Sequence, residues 1–145
     1  MSQSAVLRTE RVVPFKPSEV FAAIEDGAKI VRWWGPNGFT STSEEFDFRK
    51  GGRWIVTLHG PDGANYPNEY LFKEIQKDAK VVFEHVIGHW FQLTITLTPE
   101  GDGTRLAWEQ EFPTPEEADR LRSLCEPANE QNLDRLESVL KRSQA

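Results

Sequence analysis

One long amphipathic segment constrains the fold of this 145-residue chain more than any other feature. Over Pro113–Lys141, apolar residues recur every three or four positions, as on a helix with one buried face. Thr114 is a candidate N-cap, and Pro115 suits the first helical position. Because Pro127 removes a backbone donor halfway along, we expect the helix to kink or break near Glu126.

The chain before this helix consists mostly of predicted strands. The first covers Ala5–Phe15, and a short helix follows from Lys16-Pro17-Ser18 to a stop at Gly27, with a further turn or two over Ala28–Trp34. The clearest alternation lies in Phe91–Leu97, where apolar residues alternate with Gln and Thr and predict one buried face. The other strand patterns cover residues 40–48, 53–58, a start near 65, 70–75, 81–86 and 106–112. Strands followed by one long helix predict an α+β fold, a curved antiparallel sheet of six to seven strands around that helix.

Length and charge limit the classes of function. A chain of 145 residues is expected to form one domain over 1–145. The net charge of -6 opposes binding to nucleic acid and to anionic membrane surfaces, which require clustered Lys and Arg. One cysteine excludes an internal disulfide, and no apolar signal core or twin-arginine motif is seen near Met1, so we expect a cytoplasmic protein. No window is apolar for long enough to span a bilayer.

Three sequence blocks and a C-terminal signature together resemble one known family. The blocks are RWWGPNGFT at 32–40, DFRKGGRW at 47–54, and GPDG at 60–63 with YPN at 66–68; the signature is QNLDRL at 131–136. They resemble the activator-of-heat-shock-protein-ninety-ATPase homologue-like proteins of the START-like superfamily, also called SRPBCC or birch-pollen-allergen-like. The resemblance implies a helix-grip fold, in which a strongly bent sheet grips the last helix. It also implies two short helices after the first strand, and often an internal cavity.

Three residues at two places depart from the family pattern. Family members usually have Gly-Trp where this chain has Ala128-Asn129, and a Gly where it has Tyr70. Smaller and more polar helix residues are expected to leave more room in a cavity. The co-chaperones that give the family its name have a further N-terminal domain, and nothing in this sequence corresponds to it. A chaperone partner is therefore an alternative without support from the sequence.

The leading hypothesis is a binding site for a small apolar or amphipathic molecule between the sheet and the last helix. Inward-facing apolar strand residues opposite a helix with polar residues at mid-length are typical of small-molecule sites. The adjacent Trp33 and Trp34 point about 100° apart on a helix. Either one packs in the core and the other is a candidate lid over the cavity mouth, or both pack around the Gly35-Pro36 turn. The candidate ligand-binding residues are Trp33, Trp34, Trp54, Val56, Phe83, Phe91, Leu93, Trp108, Leu121, Cys125, Asn129 and Asn132.

Two other classes of function stay open. A cyclase-, aromatase- or hydrolase-like enzyme of this superfamily could use His85, Tyr66 or Asp47 as acid and base in the cavity. An interaction protein would present an exposed patch, and Trp90, on the polar face beside Phe91, could mark a homodimer interface.

We assign no catalytic residue, metal or cofactor from the sequence. His85 and His89 have the i, i+4 spacing of metal ligands on a helix, but Gly88 predicts a hairpin between them. Cys125 lies on the apolar stripe, where a free cysteine usually acts as a small hydrophobic residue.

Overall fold

A computed structural model describes residues 5–143, so the remaining positions of the predicted domain, 1–4 and 144–145, lie outside it. Seven antiparallel strands form one sheet in the order β1-β7-β6-β5-β4-β3-β2. Two short helices follow the first strand, and a long helix follows the last, which confirms the predicted α+β helix-grip architecture. The elements are β1 Val6–Val13, α1 Pro17–Glu25, α2 Gly27–Trp33, β2 Thr40–Phe46, β3 Arg53–His59, β4 Asn65–Gln76, β5 Lys80–His85, β6 Phe91–Glu100, β7 Gly103–Glu111 and α3 Pro115–Ser143.

The two short helices meet at Asp26 rather than at a glycine stop. The predicted stop at Gly27 is wrong, because Asp26 ends α1 and accepts a hydrogen bond from the Ala28 amide at 2.9 Å, which caps α2. A Cβ on Gly27 would approach the Phe46 ring to 3.0 Å, so glycine allows α2 to start against the sheet.

The turn between β2 and β3 requires glycine for two different reasons. Gly51 has a φ of +84°, in the left-handed region that favours glycine. Gly52 lies so close to the carbonyl oxygen of Asp47 that a Cβ would be 2.1 Å from it. The Gly-Gly pair therefore closes the hairpin.

Helix α3 is continuous through Pro127, so it does not break near Glu126, and the kink expected there stays a prediction. The N-cap prediction is confirmed, since the Glu117 amide donates to Thr114 Oγ1 at 3.1 Å. Pro127 leaves the carbonyl of Ser123 without its helical donor, but both residues are exposed, where water can solvate that carbonyl. Arg122 pairs with Glu126 one turn on, at 2.9 Å, and supports the helix at this point.

The main core lies between the sheet, the short helices and the second half of α3. Trp33, Trp54 and Trp108 are among its fully buried side chains. The alternation of β6 is confirmed, since Leu93, Ile95 and Leu97 are buried and the residues between them are more exposed. Within residues 5–143, no helix has both the length and the apolar character needed to cross a membrane.

Candidate functional site

A cavity of about 390 Å³ lies between the sheet and the middle of α3. Its wall is mostly apolar and aromatic, with a few amides and one thiol, and it contains no Asp, Glu, Lys, Arg or His among the residues that the structure describes. The lining residues are Trp34, Gly35, Pro36, Phe39, Leu58, Tyr66, Asn68, Tyr70, Phe91, Leu93, Trp108, Gln110, Leu124, Cys125, Ala128, Asn129 and Asn132.

The sheet forms the floor of the cavity because alternate residues of a strand point to the same face. Strand β4 contributes Tyr66, Asn68 and Tyr70, at intervals of two. On the neighbouring strands, β3 supplies Leu58, β6 supplies Phe91 and Leu93, and β7 supplies Trp108 and Gln110. Four strands of a single sheet therefore form the floor of the cavity.

Helix α3 forms the roof with residues spaced three or four apart, which share one face. Ala128 and Asn129, the first departure from the expected family pattern, stand at its centre, and both are half-buried. Tyr70, the other departure from the family pattern, lies on the floor and stacks on Trp54 with ring centroids 5.3 Å apart. Both departures therefore lie in the cavity wall.

The side wall is the loop after α2, and α3 fixes its backbone. Asn132 Oδ1 accepts a buried hydrogen bond from the Gly35 amide at 2.7 Å, and Gln131 Oε1 accepts from the Asn37 amide at 3.0 Å. Arg135 Nη1 donates to the carbonyls of Gly35 and Pro36 at 2.7 and 3.0 Å. Burial lowers the pKa of Arg135. The RWWGPNGFT block and the QNLDRL signature are therefore joined physically.

The polar groups in the wall are neutral. Asn129 Nδ2 donates to Gln110 Oε1 at 3.1 Å, which links roof and floor. Burial raises the pKa of the Cys125 thiol, and a hydrogen bond from Gln110 opposes this effect. Burial also raises the pKa of Tyr70, so both groups keep their protons at neutral pH. Trp108 Nε1 is buried and has no hydrogen-bond partner anywhere in residues 5–143.

Seven of the twelve predicted ligand-binding residues line this cavity: Trp34, Phe91, Leu93, Trp108, Cys125, Asn129 and Asn132. The other five do not line it. Leu121 packs with a small second cluster beside the first turns of α3. Trp33, Trp54, Val56 and Phe83 lie in the main core, each at most 1% exposed.

Trp34 belongs to the wall and not to a lid over the mouth. Its side chain is 5% exposed, and its ring centroid lies 5.0 Å from that of Trp54 and 5.9 Å from that of Trp108. The chain turns out of helical geometry at Trp34, where ψ is 130°, so both adjacent tryptophans can be buried. The lining residues most exposed to solvent are instead Tyr66 and Leu124, whose exposed fractions are 45% and 68%.

The acid-base candidates are not gathered in the cavity. Asp47 pairs with Arg49 at 2.8 Å at an exposed turn, and Tyr66 stands at the rim. His85 is not among the lining residues; it lies on β5 between Tyr70 and Phe91 of the neighbouring strands and stacks on Phe91 with centroids 4.8 Å apart. Its Nδ1 contacts the His89 carbonyl at 2.8 Å and its Nε2 contacts Asn68 Oδ1 at 2.7 Å.

The histidines and Trp90 are the remaining residues for which the sequence suggested a role. No group of His, Cys, Asp and Glu within residues 5–143 is arranged to hold a metal ion. Trp90, expected to be exposed, is half-buried, and its indole nitrogen donates to Glu84 at 3.0 Å.

Sequence reasoning missed residues that come from loops or from distant strands, such as Phe39, Asn68 and Gln110. Only Gln110 carried a signal, as a polar residue intruding in the apolar alternation of β7. Strand pairing explains its position, since Gln110 lies opposite Leu93 of β6 and Leu7 of β1.

Comparisons with known proteins agree with this architecture. A family model described as activator of Hsp90 ATPase homolog 1-like protein matches residues 14–141. No curated protein matches the chain significantly.

Several solved structures share the fold at low identity. A protein from Nitrosomonas europaea is 18% identical, with 95% of each chain covered and a TM-score of 0.88. One from Arthrobacter aurescens is 21% identical, with 96% of this chain and 87% of that chain covered and a TM-score of 0.89. A protein named AHSA1 from Silicibacter pomeroyi is 23% identical, with 95% and 99% covered and a TM-score of 0.77. At these identities the likeness concerns the fold alone.

Proposed function

The chain belongs to the activator of Hsp90 ATPase homolog 1-like family, within the START-like superfamily, and on that premise we propose that it binds a small apolar or amphipathic molecule. The observation that carries the proposal is the cavity of about 390 Å³ between the sheet and α3. Its volume lies in the range of small-molecule sites, and its wall combines apolar side chains with few polar groups, as such sites do.

The cavity wall supports binding better than catalysis. General acid-base chemistry requires a titratable group within hydrogen-bond reach of the substrate. His85 is not among the lining residues, and its two ring nitrogens already contact the His89 carbonyl and Asn68 Oδ1. Asp47 is paired with Arg49 at an exposed turn. The remaining ionisable wall groups, Tyr66, Tyr70 and Cys125, include two whose pKa is raised by burial, which opposes their use as a base or nucleophile.

We also propose a cytoplasmic location. The chain has a single cysteine, Cys125, and therefore no internal disulfide to stabilise the fold in an oxidising compartment.

Native mass spectrometry of the purified protein tests the binding proposal. We expect a stoichiometric adduct in the range of a few hundred daltons that is released on denaturation and can then be identified. A second arm uses 1-anilinonaphthalene-8-sulfonate, 2-acetylnaphthalene and a long-chain alcohol as added probes.

A cavity-filling variant locates any binding found. Ala128→Phe places a ring in the centre of the roof and should abolish binding, whereas Ser138→Phe, on the exposed face of the same helix, should leave binding unchanged. No adduct and no saturable probe binding in the wild-type protein would reject the proposal, as would equal binding by both variants.

A further inference from the structure

The chemistry of the cavity wall narrows the class of ligand. Resting on the proposed binding function, we infer that the ligand is an uncharged molecule that carries an oxygen able to accept hydrogen bonds from Trp108 and Tyr70 on the floor. A ketone, aldehyde, ester or ether oxygen on an apolar framework fits this description.

Trp108 supplies the first donor. It lines the cavity and is 1% exposed, and its indole N–H has no acceptor within residues 5–143. Its ring neighbours are Trp33 and Trp34, at centroid distances of 6.3 and 5.9 Å, and neither ring offers an oxygen. A buried donor without a partner is unfavourable, and an acceptor brought by a ligand would relieve that cost. The nitrogen is covered by its neighbours, so binding includes a small shift of the aromatic wall.

Tyr70 supplies the second donor. Its side chain is 3% exposed, lines the cavity and packs against the ring of Trp34. A tyrosine hydroxyl has one proton of its own to donate. The rings of Tyr70 and Trp108 both lie against Trp34, at centroid distances of 5.7 and 5.9 Å, so the two donors belong to one aromatic cluster of the cavity wall.

The absence of charge from the described wall excludes ionised ligands as the preferred class. A carboxylate or ammonium group loses its water on entry and needs an opposite charge in return. Arg135 stands beside the loop wall, but its guanidinium already donates to the carbonyls of Gly35 and Pro36. The amides of Gln110 and Asn129 are bonded to each other.

Three probes with the same naphthalene ring test the inference. The ketone 2-acetylnaphthalene has the acceptor oxygen, 2-isopropenylnaphthalene replaces that oxygen by a CH₂ group of similar shape, and 2-naphthoate is ionised at neutral pH. Titrations followed by two-dimensional ¹H–¹⁵N NMR give the dissociation constants and the shifts of the five tryptophan indole signals. We expect the ketone to bind about tenfold more tightly than the alkene and about a hundredfold more tightly than the naphthoate. The Trp108 indole proton should move downfield with the ketone alone.

A variant isolates the hydroxyl. Tyr70→Phe removes one oxygen from the floor and should reduce the ketone-to-alkene preference to about threefold. Thr96→Val, which removes a hydroxyl from the side of β6 facing away from the cavity, should leave the tenfold preference intact. The wild-type ratios and the Trp108 signal test the inference even if the Tyr70 variant does not fold.

The outcomes separate the inference from the function on which it rests. Equal affinity for the ketone and the alkene, or tightest binding of the naphthoate, overturns the inference and leaves small-molecule binding in place. Binding of none of the three probes, together with no retained molecule in native mass spectrometry, removes the proposed function, and the inference falls with it.

Discussion

The two halves of α3 face the same sheet, yet only one of them packs against it closely. In the second half, Leu133, Leu136, Val139 and Leu140 are buried in the main core. In the first half, Ala118 is buried, whereas Leu121 and Cys125 are half-buried and Leu124 is 68% exposed. The cavity begins where the close packing ends, around Ala128 and Asn132.

This difference in packing shows that one helix on one sheet can form a closely packed core along one half and a cavity along the other. The second half has large aliphatic residues and is flanked by α1 and α2, whose Phe21, Ile24 and Trp33 share its core. Protein interiors reach crystal-like density only where side chains interdigitate from every side. The first half lacks such flanking helices and has Ala128 and Asn129 at its inner end, so the aromatic floor below it remains partly uncovered.

The largest expected effect is a difference in stability between two variants, each with one leucine of α3 truncated to alanine. Leu136→Ala, at 1% exposure in the core, should lower the free energy of unfolding by about 2–5 kcal/mol. Leu124→Ala, at the rim, should change it by less than about 0.5 kcal/mol. Urea unfolding followed by circular dichroism measures both. Similar costs at the two positions would show that the halves are packed alike.

A second comparison concerns the hydrogen bonds that hold the loop wall. Asn132→Ala leaves the buried Gly35 amide without its acceptor and should cost about 1–3 kcal/mol. Gln131→Ala removes an exposed bond to the Asn37 amide and should cost less than about 0.5 kcal/mol. Thermal unfolding gives the stabilities, and hydrogen exchange at Gly35 should accelerate only in the Asn132 variant. Unchanged exchange there would contradict the role given to Asn132.

The stability of the protein should also fall in acid, because of His85 on β5 beside the cavity residues Tyr70 and Phe91. Burial lowers the pKa of His85 below its ordinary value of 6.5, an effect that the His89 carbonyl partly offsets. As pH falls below about 6.5, the unfolded chain therefore takes up this proton before the folded protein does. This group should lower the unfolding free energy by less than about 1.4 kcal/mol per pH unit.

Urea midpoints at pH 7.5 and 5.5 measure this loss. His85→Gln should reduce the difference between the two midpoints, while His59→Gln, a residue in exposed hydrogen bonds to Thr42 and Asn65, serves as the control. The prediction fails if the His85 variant keeps the full acid sensitivity of the wild-type protein.

The smallest expected effect is on the rate at which Cys125 is alkylated. Since burial raises the pKa of the half-buried Cys125, iodoacetamide at pH 8 should alkylate the folded protein more slowly than the urea-unfolded chain. Saturating 2-acetylnaphthalene should slow the reaction further, because Cys125 lines the cavity. Mass spectrometry follows the adduct, and faster labelling in the presence of the ketone would show that the ligand opens the wall.

The sequence predicted the architecture well because strand alternation and helical periodicity are local signals. Residues Phe91–Leu97 specify a buried face by themselves, and the Thr114-Pro115 start of α3 requires only adjacent residues. The continuity of α3 at Pro127 was not predictable in this way, since it depends on exposure of that side of the helix to solvent.

The candidate site was predicted less completely because it depends on where close packing stops. Trp54 and Trp108 have the same residue type and strand setting, yet one is wholly within the core and the other also lines the cavity. Whether such a tryptophan lines the cavity depends on which residues of α3 and of the loop after α2 lie opposite it. Those neighbours are far away in sequence, as with Gly35 and Asn132, 97 positions apart.

The long span between these partners has a consequence for how the protein is made. All seven strands and both short helices are synthesised before α3, and the aromatic surface around Tyr70 and Trp108 lacks part of its cover until that helix is complete. Contacts between such distant segments form slowly, because a long loop must close before they contribute any stability. A nascent chain that stalls after β7 therefore exposes an apolar sheet face, which is the kind of surface that chaperones retain and that aggregates when it is left free.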